Sequence, residues 1–328
     1  PAKIETVPGI PCWRKSVPIQ RVGLYIPGGS APLLSTVLML GIPARIAGCR
    51  EIILCTPPNQ NGAIHPAVLY TANILGISKI FKIGGAHAIA AMAYGTEFVP
   101  KVDKIFGPGN QFVTAAKQLV SKEGIAIDLP AGPTELAVIA DASCYPAFVA
   151  ADLLSQAEHG PDSQVVLISD NEKMIDDIHD EIISQLERLP RKEIATQAIQ
   201  KSKSVLIENL ETAIAFANTY APEHLILAVE NAELLAEKVI NAGSVFLGHF
   251  APESAGDYAS GTNHTLPTNG YARAYSGVSV ESFVKKITFQ QLSQAGLRNI
   301  CMAVQTMAEA EGLHGHKNAV AVRLNEME

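Results

Sequence analysis

Short apolar runs alternate with longer, partly polar stretches along the first part of the chain. Apolar runs that end at glycine or proline are typical of buried strands, and the stretches between them have the apolar spacing of helices. The predicted strands are Arg21–Ile26, Glu51–Thr56, Lys79–Ile83, Val102–Phe106 and Ala126–Leu129. Near-continuous apolar strands separated by helices predict a parallel sheet that is covered by helices on both faces.

The same alternation then restarts. The next predicted strands are Glu135–Ala140, Gln164–Ser169, Ser204–Glu208, Leu225–Val229 and Ser244–Leu247, with helices at Pro146–Glu158 and within Glu172–Arg188. From about Val280 the pattern changes, and Ser282–Lys286 and Phe289–Glu311 look mostly helical. We therefore expect an α/β protein with two Rossmann-like parallel-sheet domains, at 21–133 and 134–278, and a small helical C-terminal segment at 279–328.

Length and composition agree with this architecture. The chain has 328 residues, of which 48% are hydrophobic, so it can bury substantial cores. The net charge of −7, with scattered basic residues, provides no basic field for nucleic acid or an anionic membrane. The five cysteines form no C-x-x-C pair, so we expect a reducing compartment, the cytoplasm or a plant plastid. No apolar run reaches about 18 residues and no secretory signal is visible, so no membrane span is expected.

Three glycine turns follow predicted strands in the first half, at Pro27-Gly28-Gly29, Gly84-Gly85 and Gly107-Pro108-Gly109-Asn110. Glycine lets the backbone approach a phosphate, and the N-terminus of the following helix favours negative charge. A nucleotide-type ligand and ordinary tight turns explain these glycines equally well. The dinucleotide fingerprint G-x-G-x-x-G and the P-loop are both absent, so the residues alone do not choose among NAD, NADP and a simpler phosphate.

Candidate chemistry concentrates in the second half. Gln156 and His159 are three residues apart at the end of a predicted helix that Gly160-Pro161 terminates, so their side chains share a face. A solvated last turn explains this pair as well. Glu223-His224 precedes a predicted strand and can supply two acid–base groups if the backbone bends there. The alternative is an exposed Glu beside a capping His.

Two further segments add possible ligands. The polar, glycine-rich stretch 253–264 is predicted to be a long loop, and it carries Asp257 and His264. Near the C-terminus, His314 and His316 form a His-x-His pattern from which one or both could bind a metal. Together with Gln156 and His159, these residues make a nitrogen and oxygen ligand set that zinc accepts, although Gln is an uncommon zinc ligand.

Several long motifs, in order, resemble one family. They are Gly23-Leu24-Tyr25-Ile26-Pro27-Gly28-Gly29-Ser30-Ala31-Pro32, Lys104-Ile105-Phe106-Gly107-Pro108-Gly109-Asn110, Leu153–Gln164, Pro222-Glu223-His224-Leu225, Ser254–His264 and His316-Lys317-Asn318-Ala319-Val320. From about Val22 to Arg323 the chain resembles histidinol dehydrogenase, the zinc- and NAD-dependent enzyme at the end of histidine biosynthesis. The resemblance implies two-step oxidation of L-histidinol through L-histidinaldehyde to L-histidine, with Zn2+ and NAD+ as cofactors.

The resemblance also implies roles for particular residues. Its zinc ligands would be Gln156, His159, Asp257 and His316, of which His316 directly precedes the Lys317–Val320 motif, and its catalytic acid–base pair would be Glu223 and His224. The substrate contacts would be Thr134, Gln156, His159, Glu223, His224, Asp257, His264, Glu311 and His316. The NAD contacts would be Tyr25, His87 and Asn110, in the first domain, while the second would hold zinc and substrate.

The chain departs from the family pattern at three places. Thr134 stands where the family usually has Ser, and His87 stands where Gln is common. The chain begins at Pro1, and the helical segment that family members usually carry before this point is not in the sequence. The C-terminal segment is expected to dimerise the protein and to send Glu311 and His316 into the partner's active site, giving a homodimer with shared sites.

Two other functions remain to be separated from this one. A zinc hydrolase would use the same ligand types, with Glu223 activating water, but would leave the glycine turns of the first domain unexplained. A two-lobed binding module would bind a ligand without turnover and would need neither metal nor Glu223-His224. Nicotinamide absorbance after addition of NAD+ and histidinol distinguishes the dehydrogenase from both.

Overall fold

The structure is a computed structural model that describes residues 2–28 and 33–326. It forms two compact units, Pro1–Pro18 with Val284–Glu328, and Ile19–Phe283. The strands of the described residues are β1 Ile4–Val7, β2 Ile10–Pro18, β3 Arg21–Tyr25, β4 Glu51–Cys55, β5 Lys79–Phe81, β6 Lys104–Phe106, β7 Ala126–Ile127, β8 Glu135–Ala140, β9 Gln164–Ser169, β10 Lys203–Leu206, β11 His224–Ala228, β12 Ser244–Leu247 and β13 Val284–Gln290.

The helices of the described residues alternate with these strands. They are α1 Leu34–Ala47, α2 Pro66–Ile74, α3 Gly85–Tyr94, α4 Gln111–Lys122, α5 Pro146–Ala157, α6 Glu172–Leu186, α7 Lys192–Lys201, α8 Leu210–Tyr220, α9 Ala232–Ala236, α10 Glu253–Tyr258, α11 Gln294–Ala310 and α12 His314–Asn325. Short 3-10 turns at Tyr271–Arg273 and Val280–Phe283 complete the regular structure of these residues.

The larger unit contains two parallel sheets with the same topology. The first has the order β5-β4-β3-β6-β7 and the second β10-β9-β8-β11-β12. In each sheet the chain starts at the central strand, moves outwards twice, and then crosses to the other side. Such an order places a switch point between the first and fourth strands, which are β3 and β6 in one sheet and β8 and β11 in the other. The predicted α/β class is therefore confirmed.

Both faces of each sheet are buried. In β8, Leu136 and Val138 pack on one side with α5 and α6, while Ala137 and Ile139 pack on the other with α8 and α9. The alternation follows from the two-residue period of a strand. In the first sheet the residues on the two faces of β3 and its neighbours likewise join two separate cores. This explains why the strands have nearly continuous apolar sequences.

The smaller unit is built differently. A hairpin joins β1 to β2 through Gly9, whose φ is +86°, and β2 pairs antiparallel with β13. Trp13 and Phe289 face each other across that pair and stack with ring centroids 5.4 Å apart. Helices α11 and α12 follow β13.

Two element predictions are wrong. The C-terminal segment is not wholly helical, because Val284–Gln290 is a strand whose register with β2 runs through seven residue pairs. Its partner strand is distant in the sequence, so local spacing could not reveal it. The stretch 253–264 is not all loop, since Glu253–Tyr258 forms α10. The domain limits 21–133, 134–278 and 279–328 stay a prediction.

Among residues 2–28 and 33–326, no helix has both the length and the apolar character that crossing a bilayer requires.

Candidate active site

The amino ends of β8 and β11 bring two short segments together. Glu135 is the first residue of β8 and His224 the first of β11, and the two parallel strands pair with His224 opposite Leu136. Parallel neighbours begin at the same edge of a sheet, so Thr134-Glu135 lies beside Glu223-His224. Ala221, in left-handed backbone with φ +56°, ends α8 and redirects the chain into β11.

Helix α5 returns to the same edge. A helix that connects parallel strands runs against them, so its C-terminal end lies where the next strand begins. Gln156 lies in the last turn of α5 and is fully buried. His159 follows two residues after the helix ends and keeps contact with solvent. The predicted helix end is therefore close to the observed one.

Glu223 is a buried carboxyl group held by two hydrogen bonds. Its Oε2 accepts from the Thr134 hydroxyl at 2.5 Å and from the Glu135 backbone amide at 3.0 Å. Burial raises the pKa of Glu223 to about 8, although both hydrogen bonds act to lower it. A carboxyl group with such a pKa can accept and release a proton near neutral pH.

His224 is buried in a form that suits a base. Its Nδ1 lies 3.2 Å from the Glu135 carbonyl oxygen, which places the ring proton on Nδ1. Its Nε2 is buried and has no hydrogen-bond partner among the described residues. Burial, together with the smaller effect of the nearby His159 and His264, lowers the pKa of His224 to about 3. The ring is therefore neutral at pH 7, with the Nε2 lone pair free.

Helix α10 adds two carboxyl groups to this edge. Glu253 and Asp257 are four residues apart and share one face of the helix. A ligand atom from each, together with one from His224, forms a group in which all atoms lie within 4.8 Å of one another. Burial raises the pKa of Asp257 to about 6. Burial also raises the pKa of Glu253 well above its ordinary value, and the neighbouring carboxyl groups raise it further. Of the predicted zinc ligands, Asp257 belongs to this group.

These side chains fit a bound cation. Closely spaced carboxyl groups in a desolvated site repel each other when ionised, and a divalent ion removes that penalty. Among the residues that the structure describes, the buried Nε2 atoms of His224 and His264 have no hydrogen-bond partner. Imidazole nitrogen with carboxylate oxygen is a donor set that zinc accepts.

Gln156 links this group to Thr134. Of its two amide orientations, the one that satisfies hydrogen bonding has Nε2 donating to both carboxylate oxygens of Glu253, with 2.7 Å to Oε2, and Oε1 accepting from the Thr134 hydroxyl. In the other orientation Nε2 donates to Thr134. The single Thr134 hydroxyl hydrogen can serve either Gln156 or Glu223 at one time.

The predicted NAD contacts lie at the carboxyl edge of the first sheet. Tyr25 ends β3, and its hydroxyl accepts from the Gly85 amide at 3.1 Å, two residues before the exposed His87. Asn110 follows β6 and caps α4, since its Oδ1 accepts from two amides of the first turn. Gly28, Gly84 and Gly107 are described, but Gly29, Ser30, Ala31 and Pro32 of the first motif lie outside the described residues.

A buried ion pair shapes the turn after β6. Lys117 Nζ contacts Asp128 Oδ1 at 2.5 Å, with both side chains nearly inaccessible, and also donates to the Gly107 carbonyl at 2.9 Å. Asp128 Oδ2 accepts from the Gly107 amide at 2.7 Å. A Cβ atom at Gly107 would lie 2.0 Å from the Tyr25 carbonyl oxygen, and its φ is +125°. Only glycine fits there.

The remaining predicted site residues belong to the smaller unit. Glu311 caps the C-terminal end of α11, His314 begins α12, and His316 lies in its first turn. All three side chains are exposed. Their proposed roles stay predictions.

Sequence reasoning missed two buried carboxyl residues at this edge of the sheet, Glu253 and Glu135. Glu135 Oε1 accepts from the Asn269 amide, and its Oε2 is buried with no partner among the described residues. The Glu253-to-Asp257 spacing of four was a usable signal. The prediction of a loop over residues 253–264 hides this signal, because the spacing places side chains on one face only in a helix.

Comparison with known proteins identifies the family. The family model described as histidinol dehydrogenase matches residues 1–324. A histidinol dehydrogenase of Bacteroides thetaiotaomicron is 64% identical over 323 residues, which cover 98% of this chain and 76% of that protein. The crystal structure of histidinol dehydrogenase from Elizabethkingia anophelis matches with a TM-score of 0.97 and 60% identity, covering 99% of this chain and 75% of that one.

A more distant likeness concerns the fold alone. An NAD-dependent aldehyde dehydrogenase from Sinorhizobium meliloti superposes with a TM-score of 0.61 at 12% identity, covering 89% of this chain and 70% of that one. The full-length family match and the high identity of the nearer relatives carry the assignment: the chain belongs to the histidinol dehydrogenase family.

Proposed function

We propose that this protein oxidises L-histidinol to L-histidine through L-histidinaldehyde, with two NAD+ and one water, as the last step of histidine biosynthesis. The observation that carries the proposal is the buried Glu223-His224 pair, whose imidazole Nε2 has no partner among the described residues, together with the carboxyl groups of Glu253 and Asp257, which could hold a cation beside it. Membership of the family and relatives named histidinol dehydrogenase support it.

The proposed zinc ligands are Gln156, His159, Asp257 and His316. Asp257 belongs to the buried ligand cluster, and Gln156 contacts Glu253 of the same cluster. The electrostatic influence of His159 on His224 and His264 supports its closeness to the site. His316 is proposed on the motif that it shares with the family.

The chemistry requires groups that move protons at two stages. Bound zinc would anchor the imidazole and amine of the substrate, and NAD+ would accept the hydride. His224 Nε2 takes the alcohol proton as the first hydride leaves the carbon. Glu223 then removes a proton from the water that attacks the aldehyde, and His224 acts again when the hydrate is oxidised. The neutral imidazole and the raised pKa of Glu223 suit these steps at neutral pH.

The remaining substrate contacts proposed are Thr134, His264 and Glu311. The Thr134 hydroxyl lies within hydrogen-bond distance of both Glu223 and Gln156, and the buried Nε2 of His264, which has no partner among the described residues, could meet a polar group of the substrate. The proposed NAD contacts are Tyr25, His87 and Asn110. Their position at the carboxyl ends of β3, β5 and β6 supports this, because nucleotides bind at that edge of open parallel sheets.

We further propose a cytoplasmic homodimer, or a plastid one in a plant, in which Glu311 and His316 complete the partner's site. Chains carrying Glu223→Gln, mixed with chains carrying His316→Ala, should then regain part of the activity through hybrid dimers, because one site of each hybrid has both residues intact. Hybrid dimers that form but stay inactive would reject shared sites.

The test of the activity is a spectrophotometric assay. With histidinol, NAD+ and Zn2+ the absorbance of reduced nicotinamide should rise by two equivalents per histidinol, and chelation should abolish the rise until zinc is restored. Asp257→Ala should lose bound zinc in metal analysis. A protein that hydrolyses substrates without NAD+, or that binds histidinol without turnover, would contradict the proposal.

A further inference from the structure

Asn263 is a polar residue beside the site that the proposed reaction does not use. It directly precedes His264, whose buried Nε2 has no partner in the described part of the chain. His264 acts electrostatically on His224, so the two rings lie near each other. The backbone around residue 264 therefore decides where this buried nitrogen lies relative to the proposed base.

The oxygen of the Asn263 amide fixes that backbone. Oδ1 accepts from the Thr265 amide at 2.9 Å, which closes a turn with His264 as its middle residue. Thr265 is 2% exposed, and its carbonyl accepts from the Val278 amide at 2.9 Å. The turn that carries His264 is thus held on its far side as well.

The nitrogen of the same amide reaches a different part of the molecule. Asn263 Nδ2 donates to the Met39 carbonyl of α1 at 2.8 Å. Helix α1 follows β3 of the first sheet, and its Val37 and Leu40 share a hydrophobic core with residues of β3. This hydrogen bond therefore joins the His264 turn, which follows the second sheet, to a helix that is packed on the first.

The Met39 carbonyl can take this donor because of Pro43. A helical carbonyl ordinarily accepts from the amide four residues further on, and Pro43, inside α1, has no amide hydrogen. Both partners of Asn263 are backbone groups whose donor and acceptor roles are fixed. Only one orientation of the amide satisfies them, because the reverse would set oxygen against a carbonyl and nitrogen against an amide.

We propose that Asn263 is a positioning residue: its side chain ties the turn that carries His264 to helix α1, and so holds the His264 ring in place for the substrate. The inference rests on the proposed role of His264 as a substrate contact. Asn263 acts through that ring. A displacement of about 1 Å at a group that positions a substrate can lower a rate by roughly 10²-fold, so loss of the tie should be visible in the kinetics.

The first experiment measures kcat/KM for histidinol with NAD+ and zinc in excess. Asn263→Ala should lower it roughly 10–100-fold, because the His264 turn is then held neither by its own amide bond nor by α1. Asn171→Ala is the matched control. It removes an asparagine oxygen that accepts from the Met174 amide at the start of α6, at the opposite edge of the second sheet, and should keep the kcat/KM of the parent. An unchanged kcat/KM in Asn263→Ala would overturn the proposal.

The second experiment asks whether Asn263 acts through His264. In a protein that already carries His264→Ala, adding Asn263→Ala should change kcat/KM by less than about twofold, because the ring that Asn263 positions is gone. Independent sites would instead give effects that multiply. A further loss as large as the one that Asn263→Ala causes in the parent would mean that Asn263 supports the protein in another way, and would reject the proposal.

A third variant separates the turn from the tie to α1. In Asn263→Ser the hydroxyl can still accept from the Thr265 amide, but the side chain is one bond shorter and leaves the Met39 carbonyl without its donor. Its kcat/KM should be closer to that of Asn263→Ala than to that of the parent. Activity equal to that of the parent would show that the turn alone positions His264, and would reject the part assigned to α1.

Two controls keep these outcomes distinct from other failures. Circular dichroism and thermal denaturation show whether each variant folds; Asn263→Ser, which keeps the turn acceptor, leaves the question answerable if Asn263→Ala does not. If the parent does not oxidise histidinol, the proposed function fails. If the parent oxidises histidinol and Asn263→Ala does so equally well, only the role of Asn263 fails.

Discussion

The two parallel sheets share one strand order but use opposite ends. In the first sheet the candidate ligand-binding turns lie at the carboxyl edge, after β3, β5 and β6, and consist largely of glycine, tyrosine and capping asparagine. In the second sheet the ionisable residues gather at the amino edge, before β8 and β11. The same topology therefore provides a backbone cradle at one edge and an acid–base cluster at the other.

The two regions also treat buried charge differently. Lys117 and Asp128 in the first are paired, and their remaining hydrogen-bonding capacity is met by the backbone around Gly107. In the second, Glu223 and Glu253 are buried, and burial raises the pKa of each carboxyl group. The paired charges hold the backbone around Gly107 in place. The closely spaced carboxyl groups of the second region repel one another when ionised, so they favour binding a proton or a metal ion.

The largest expected effect is on catalysis. His224→Asn should lower kcat by roughly 10²–10⁴-fold, because a general base contributes that much to a proton transfer, while zinc content stays the same. His179→Asn, at an exposed histidine of α6 whose ring contacts Ser204, is the control and should keep full activity. Steady-state kinetics with metal analysis measures both. Near-normal turnover by His224→Asn would show that His224 is not the general base.

The buried Lys117–Asp128 pair of the first region should affect the free energy of unfolding rather than catalysis. Lys117→Met leaves Asp128 buried and unpaired and should lower the free energy of unfolding by about 3–5 kcal/mol. Adding Asp128→Asn should recover part of the loss, because the isolated charge is then gone. Denaturant titrations of the two variants test this. A loss below about 1 kcal/mol in Lys117→Met would show that the pair does not hold the Gly107 turn.

A smaller effect is expected from pH in the metal-free protein. The pKa of Glu223 is about 8 when folded and 4.5 ordinarily, so the folded state holds the proton more tightly and stability falls as pH rises towards 8. His224 changes the pH dependence of the free energy of unfolding only below about pH 6.5, because its folded pKa of about 3 lies below the ordinary 6.5. Between pH 6.5 and 8 the loss due to Glu223 should therefore be roughly 2 kcal/mol.

Denaturation of the metal-free protein at several pH values, with Glu223→Gln as the matched variant, measures this slope. The variant should show a shallower decline over the same range, because it has no proton to lose there. Equal slopes in parent and variant would mean that Glu223 is not the titrating group.

The smallest effect concerns an exposed ion pair of the first sheet. Arg21 and Asp103 are 3.3 Å apart, with side chains 46% and 42% exposed. Arg21→Gln should change the free energy of unfolding by less than about 1 kcal/mol, and added salt should shrink the difference. A decrease in the free energy of unfolding as large as that of Lys117→Met would show that burial does not distinguish the two ion pairs.

The pattern of apolar and polar residues predicted much of the fold, because the periodicity of a strand or a helix shows in residues that are close together in the sequence. The ten strands of the parallel sheets were all located to within a few residues, and α5 ends close to the predicted stop at Gly160-Pro161. The hairpin of β1 and β2 was not recognised, although Pro8-Gly9 is a turn signal. Strand β13 was missed because its pairing partner is remote in sequence.

The sequence by itself determined the α/β class, the adjacency of Glu223 and His224, and the motifs that mark the family. Only the tertiary structure brought Thr134, Gln156 and Glu253 to the same edge as that pair. The reason is physical. Spacing along one helix or strand decides which side chains share a face, whereas contacts between distant segments depend on which strands are neighbours and where the connecting helices return.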